Sequence, residues 1–167
     1  MTPKQFVDKF KPDAIKSQTL SEIDFRFTLA QAALESGWGK SAPGNMFFGV
    51  KAGKDVPASK KQLLTTTEVL SDDKQGYRFP EVLSITKRPD GKYTYQVKDW
   101  FCRYDTPEEC FSDHADFFFK NKRYAKALEV KHNPYLFAEE IAKAGYATAP
   151  NYASSLKNII NIVDKNL

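Results

Sequence analysis

The pattern of apolar and polar positions divides the chain into a helical beginning, a strand-rich middle and a helical end. The first helix is predicted to begin at Thr2-Pro3, because Thr is a favoured N-cap and proline fits the first turn of a helix. We expect this helix to be short and to end at about Phe10.

A second predicted helix follows Ser21–Asp24, which has the form of a capping box with Asp in place of the usual Glu or Gln. From there apolar residues recur every three or four positions, the spacing of one buried helix face. We expect the helix to run to about Glu35 and to stop at Gly37 or Gly39, since glycine readily adopts the left-handed conformation at a helix C-terminus. The stripe consists of Ile23, Phe27, Ala30 and Leu34.

The middle of the chain has the character of loops and strands. Residues 40–60 are rich in loop-forming residues, and Leu63–Leu70 is rich in β-branched ones. Turn signals at Asp72–Gly76 and Pro89–Gly91 separate this run from two further strand-like runs. We therefore predict a small antiparallel sheet over about residues 62–103.

Helical signals return after this segment. Helices are predicted over Thr106–Phe119, Asn133–Gly145 and Tyr152–Asp164, because the first two begin with a capping residue followed by proline and the third carries a regular apolar stripe. Helices, a β-lobe and further helices, in that order, predict an α+β class. We expect residues 1–167 to form one domain with the β-lobe inserted in it.

Composition narrows the class of protein. The 167 residues are 41% hydrophobic and 28% charged, which excludes a disordered chain. No apolar run reaches the roughly 18 to 20 residues of a membrane span, and no signal peptide is visible, so we expect no membrane insertion. The net charge of +4 is spread along the chain, which argues against nucleic acid as a partner and fits an anionic polymer such as a cell wall. We expect a monomer.

Cysteine and histidine positions give no sign of a metal centre. Cys102 and Cys110 lie eight positions apart, and their spacing leaves open whether they pair. His114 and His132 have no neighbouring ligand types. We therefore expect neither a metal nor another cofactor.

Glu35 is the first candidate for chemistry. A carboxyl group that protonates a leaving group needs a raised pKa, which burial in apolar surroundings supplies. Glu35 follows Leu34 and precedes Trp38 by three positions, while two neighbouring glycines leave space for a ligand. A Glu in the last turn of a helix is also often a solvated charge, so this pattern alone leaves both interpretations open.

Cleavage of a glycosidic bond usually requires a second carboxylate. The predicted β-lobe offers four candidates, and their separation from the acid would distinguish retention at about 5 Å from inversion at roughly 6.5–9.5 Å. A surface charge on a strand edge is the alternative role for such a residue. The candidates are Glu68, Asp72, Asp73 and Glu81.

Six motifs, in order along the chain, resemble the bacterial peptidoglycan N-acetylglucosaminidase domain of glycoside hydrolase family 73, which occurs in flagellar peptidoglycan hydrolases and autolysins. The first and the last of these motifs are the most specific, and the resemblance extends over nearly the whole chain. The motifs are Ala30–Gly39, Asn45–Lys51, Thr65–Glu68, Phe101–Thr106, Asn121–Tyr124 and Ala144–Ala153.

The resemblance implies a lysozyme-like fold whose substrate groove lies between a helical lobe and the β-lobe. It implies Glu35 as the general acid and Glu68 as a second catalytic carboxylate that activates water. Tyr152 matches a tyrosine near the acid, which either positions the carboxyl or orients the substrate's N-acetyl group; core packing is the alternative. Residues implied at the substrate are Trp38, Asn45, Phe48 and Tyr146.

The function that the resemblance implies is hydrolysis of the β-1,4 bond after N-acetylglucosamine in peptidoglycan, with the substrate's own acetamido group as an alternative to Glu68. Two other functions stay open. The scaffold also suits a lytic transglycosylase or muramidase. The other alternative is a non-catalytic cell-wall-binding module, which the presence of Glu35 and Glu68 disfavours. The place of action implied is the cell wall, the periplasm or the outside of the cell, by an export route that the sequence leaves open.

Overall fold

The computed structural model describes all residues, 1–167, and contains six α-helices and one three-stranded sheet. The helices are α1 (Pro3–Ser21), α2 (Phe25–Ser36), α3 (Pro107–Lys120), α4 (Ala125–Leu128), α5 (Pro134–Lys143) and α6 (Tyr152–Lys165). The strands are β1 (Lys61–Leu70), β2 (Glu81–Lys87) and β3 (Tyr93–Cys102). The predicted α+β class is confirmed. The chain folds as two compact units, a helical unit of residues 1–48 and 104–167 and a β unit of residues 49–103.

Helix α1 is much longer than the sequence pattern predicted. It starts as expected at Thr2, whose side chain accepts from the N–H of Gln5 in a full capping box. The prediction that it ends at about Phe10 is wrong, since it continues past Pro12 to Ser21. A proline inside a helix costs about 3 kcal/mol. Burial of Ala14 and Ser17 beyond Pro12 offsets only part of that cost.

The predicted cap of α2 is also wrong in position. Ser21 belongs to α1, where its hydroxyl donates to the carbonyl of Ser17, and Glu22 then takes a left-handed conformation with φ of 62°. Asp24 caps α2 instead, because its side chain accepts from the N–H of Arg26. The predicted end is confirmed: Gly37 adopts the left-handed conformation that stops α2.

Aromatic side chains build the core of the helical unit. Phe27 of α2 contacts Phe137 of α5 at 4.5 Å between ring centroids, and Phe118 of α3 lies 5.2 Å from the same ring. Burying each such side chain contributes roughly 1.5–3 kcal/mol. Helix α6 closes the core with Leu156 and Ile160, which are fully buried. This packing fixes α2, and with it the position of its last turn.

The β unit holds the predicted antiparallel sheet, with strand order β1-β3-β2. Its observed span of 61–102 agrees with the predicted 62–103. Tyr95 on the central strand is fully buried, and its hydroxyl donates to the carbonyl of Asp72 at 2.6 Å. The same hydroxyl accepts from the N–H of Gln75 at 3.2 Å, so it anchors the turn after β1. None of the six helices combines the length and apolar character needed to cross a membrane.

Candidate active site

Glu35 lies in the last turn of α2, where the backbone is tightly held. The hydroxyl of Ser36 donates to the carbonyl of Ala32 at 2.5 Å and accepts from the N–H of Gly39 at 2.9 Å. Gly37 has φ of 59°, a left-handed conformation that favours glycine. These bonds fix the helix end, so the direction in which the Glu35 side chain leaves the helix is also fixed.

The carboxyl group of Glu35 meets Tyr152, the first residue of α6. The Tyr152 hydroxyl donates to Glu35 Oε1 at 3.4 Å, across 117 positions of sequence. Glu35 is exposed as a whole residue, yet burial of its carboxyl raises the pKa of that group above the usual 4.5, while the hydrogen bond from Tyr152 opposes the rise. A carboxyl with a raised pKa stays protonated at higher pH, which is what a general acid requires.

Two buried polar residues extend this contact into the core. Gln31 is fully buried one helical turn before Glu35, and its Nε2 donates to the Tyr152 hydroxyl at 2.9 Å. Its Oε1 lies 2.6 Å from Nε2 of His114 on α3. The side chains of His114, Gln31, Tyr152 and Glu35 thus form one continuous hydrogen-bond series.

The buried His114 predicts that the protein loses stability in mild acid. Burial lowers the pKa of His114 from 6.5 to about 3. The unfolded chain therefore binds more protons, so this contribution to the free energy of unfolding is complete above about pH 6.5 and is lost progressively as the pH falls towards 3. Urea unfolding should show a decrease of about 2 kcal/mol between pH 7.5 and pH 5 from this group.

The control for that measurement is His114→Phe, which retains an aromatic ring but cannot titrate. We expect this variant to lack the His114 share of the decrease in the free energy of unfolding. An equal decrease in the variant and the native protein would show that His114 is not held neutral in the core.

Tyr146 packs beside the Tyr152 ring, with centroids 5.5 Å apart and planes 28° from parallel. Burial raises the pKa of both tyrosine hydroxyls, so both stay protonated and can serve as hydrogen-bond donors. Of the predicted site residues, the structure therefore brings Glu35, Tyr152 and Tyr146 together in the helical unit.

Three further predicted substrate residues make contacts within the helical unit. Trp38 packs its ring edge-to-face with Phe6 at 5.6 Å. The Asn45 amide donates to the backbone carbonyls of Tyr104 at 3.0 Å and Asp105 at 3.2 Å. Phe48 stacks on His114. Each has a structural task, and its role at the substrate stays a prediction.

Glu68 lies on β1 in the β unit. Its carboxylate pairs with Lys51 Nζ at 2.7 Å, and the same ammonium group pairs with Asp99 at 3.1 Å. The Glu68 side chain is 28% exposed, so it is reachable from solvent. No three His, Cys, Asp or Glu residues cluster as metal ligands anywhere in the chain.

Gln31 and His114 were missed by the sequence interpretation. Gln31 is a polar residue in an otherwise apolar run, four positions before Glu35 and hence on the same helix face. His114 lies on the buried face of α3 between Phe111 and Phe118. A polar residue on an otherwise apolar helix face is a signal of a buried hydrogen bond, but it does not show which side chain is the partner.

Comparison with known proteins finds relatives that are named as a peptidoglycan hydrolase and as a glucosaminidase. Peptidoglycan hydrolase FlgJ of Pseudomonas aeruginosa is 31% identical over 162 residues, which are 93% of this chain and 35% of that protein. Exo-glucosaminidase LytG of Bacillus subtilis is 29% identical over 145 residues, 82% of this chain and 43% of that protein. The chain thus spans less than half the length of these curated relatives.

A solved structure of a related domain is similar to this chain in fold. The glycoside hydrolase domain of Salmonella typhimurium FlgJ has a TM-score of 0.74 and 28% identity, with 99% of this chain and 90% of that one covered. The family model described as mannosyl-glycoprotein endo-beta-N-acetylglucosaminidase matches residues 11–165. The resemblance inferred from the six motifs is confirmed, and the chain belongs to the glucosaminidase family.

Proposed function

We propose that this chain is a peptidoglycan hydrolase that cleaves the β-1,4 bond after N-acetylglucosamine, with Glu35 as the general acid. The observation that carries the proposal is the Glu35 carboxyl: it has a raised pKa, receives a hydrogen bond from Tyr152 and lies in the motif typical of the family. Relatives named as a peptidoglycan hydrolase and an exo-glucosaminidase support peptidoglycan as the substrate and a glucosaminidase activity.

The acid step follows from this geometry. Protonated Glu35 gives its proton to the glycosidic oxygen as the bond to the departing sugar breaks, which avoids an alkoxide leaving group. The carboxylate that remains accepts a hydrogen bond from Tyr152. A hydrogen bond to an ionised group is stronger than one to a neutral group, so this contact is stronger after the proton has left.

For the attack on the sugar we propose water activated by Glu68. The pair with Lys51 holds the Glu68 carboxylate on β1 in one orientation, and its partial exposure leaves room for water. The substrate's acetamido group could replace Glu68 in this role, because such participation needs no protein nucleophile. The two routes differ in how strongly the rate depends on Glu68.

We also propose one glucosaminidase domain over residues 1–167, with the β-lobe inserted, acting as a monomer at the cell wall, in the periplasm or outside the cell. The expectation that the net charge is spread along the chain is wrong, because residues 49–103 contain eleven Lys and Arg against seven Asp and Glu, so the β unit carries the whole net charge of +4. A basic surface attracts a polymer that bears carboxylates or phosphates. This charge supports a wall polymer as the partner.

The test is the release of reducing sugar from purified peptidoglycan across a pH series. A general acid must be protonated, so the rate should fall as the pH rises through the raised pKa of Glu35, above the ordinary value of 4.5. Binding to the wall without new reducing ends would establish a binding module instead. A rate that rises as Glu35 ionises would exclude it as the acid.

A further inference from the structure

We propose that Gln31 and His114 are positioning residues that fix the direction of the hydrogen bond from Tyr152 to Glu35. The catalytic consequence rests on the proposed function of Glu35. The hydrogen-bond directions themselves lie within the helical unit and are measurable without turnover, so the two proposals can fail separately.

The donor-to-acceptor direction of these hydrogen bonds depends first on which ring nitrogen of His114 carries the proton. Its ring is buried and neutral, because burial lowers its pKa to about 3. A neutral imidazole has one N–H and one bare nitrogen. His114 Nε2 lies 2.6 Å from Gln31 Oε1, and an amide oxygen can only accept. The proton of His114 is therefore on Nε2.

The Gln31 amide links His114 to Tyr152, and its orientation determines which of its ends meets each residue. Its side chain is fully buried, and its oxygen faces His114. Its amide nitrogen must then face Tyr152, where it donates to the hydroxyl at 2.9 Å. With the amide rotated by half a turn, Gln31 would donate to His114 and the histidine proton would have to lie on Nδ1, so a proton on Nε2 is what keeps Gln31 in the observed orientation.

Tyr152 completes the series. Its oxygen accepts from Gln31, so its own proton is left for Glu35 Oε1 at 3.4 Å. In this arrangement the hydroxyl donates to the acid and does not compete with substrate for the acid's proton. It favours the carboxylate, and it therefore stabilises the state that forms as Glu35 releases its proton.

Packing keeps the series in place. Phe48 stacks on the His114 ring with centroids 3.7 Å apart, and the Phe117 ring is parallel to it at 5.9 Å. The other titratable groups that pack against the series are the hydroxyls of Tyr146 and Tyr124, and burial raises the pKa of Tyr146 above its ordinary value. The bond between Tyr152 and Glu35 therefore depends on the two buried amide and imidazole groups.

The first experiment uses the unmodified protein. Nitrogen-15 NMR of the histidine rings reports which ring nitrogen of His114 is protonated. We expect the proton on Nε2 from about pH 5 to pH 8, since no titration of His114 falls in that range. A proton on Nδ1, or a charged ring at pH 6, would overturn the inference whatever the activity.

The second experiment compares Gln31→Leu, His114→Phe and His114→Gln by carbon-13 titration of the Glu35 carboxyl and by kcat. Gln31→Leu removes the N–H that donates to Tyr152, and His114→Phe removes the N–H that donates to Gln31. In both variants the pKa of Glu35 should rise, and the alkaline limb of the pH–rate profile should move to higher pH. The value of kcat should fall about tenfold with little change in KM. His114→Gln retains an N–H donor and should keep the native titration.

The control is Ile160→Val, which trims the same core on α6 at a side chain that has no hydrogen-bonding group. It should lower the melting temperature and leave the Glu35 titration unchanged. Equal titrations in His114→Phe and His114→Gln would mean that His114 only packs, and would refute the proposal. If the native protein releases no reducing sugar, the proposed function fails, and the titrations still decide this inference.

Discussion

Replacing Glu35 by Gln is expected to reduce the release of reducing sugar from peptidoglycan by about 10³-fold or more. General acid catalysis contributes typically about 10²–10⁴-fold, and a neutral amide has no proton to deliver to the leaving oxygen. Gln keeps the shape of Glu and still offers an oxygen to the Tyr152 hydroxyl, so the fold should be retained. Initial rates on purified peptidoglycan, with circular dichroism as the check of folding, measure the effect.

The matched control is Glu22→Gln, the same chemical change on the same unit. Glu22 is 63% exposed and pairs with Lys131 at 3.2 Å, a surface contact worth little. The control should retain the native rate. Native turnover in the Glu35 variant would remove the central role assigned to this residue.

Replacing Glu68 by Gln is expected to give the second largest loss, about 10²-fold in kcat, with activity remaining. The loss follows if Glu68 activates water, and it is incomplete because the substrate's acetamido group can take part of that role. The substitution also leaves Lys51 with Asp99 as its remaining acidic partner. Rates on purified peptidoglycan at a pH where Glu35 is protonated measure it.

Glu81→Gln is the comparison for Glu68, since Glu81 is another carboxylate of the β unit and pairs with Lys98 at 3.3 Å. We expect a native rate in that variant. An unchanged rate in the Glu68 variant would favour the acetamido route, and a large loss only in the Glu81 variant would name a different carboxylate.

The fold was predictable where a local signal decided the outcome. The β-branched run of β1, the turn residues after it and the Thr106-Pro107 start of α3 each gave the right element. The end of α1 was not predictable by such signals. Pro12 indicates a helix stop, yet the helix continues to Ser21 with Ala14 and Ser17 buried, and no local pattern shows that burial.

Some residues of the candidate site were likewise predictable from local signals, and others were not. Glu35 was identified from its helix position and from the motif around it, and Tyr152 from the motif that contains it. Gln31 and His114 contact each other across 83 positions of sequence, and Gln31 contacts Tyr152 across 121. No local pattern encodes such pairings, because they arise only when α2, α3 and α6 pack together.

Mass spectrometry of a peptidoglycan digest, after chemical reduction of the new chain ends, identifies the glycosidic bond that is cut. We expect reduced N-acetylglucosamine at those ends with the native protein and none with Glu35→Gln. Reduced muramic acid ends or anhydro-muramyl ends would contradict it, since they would show that the other glycosidic bond of the strand is cut.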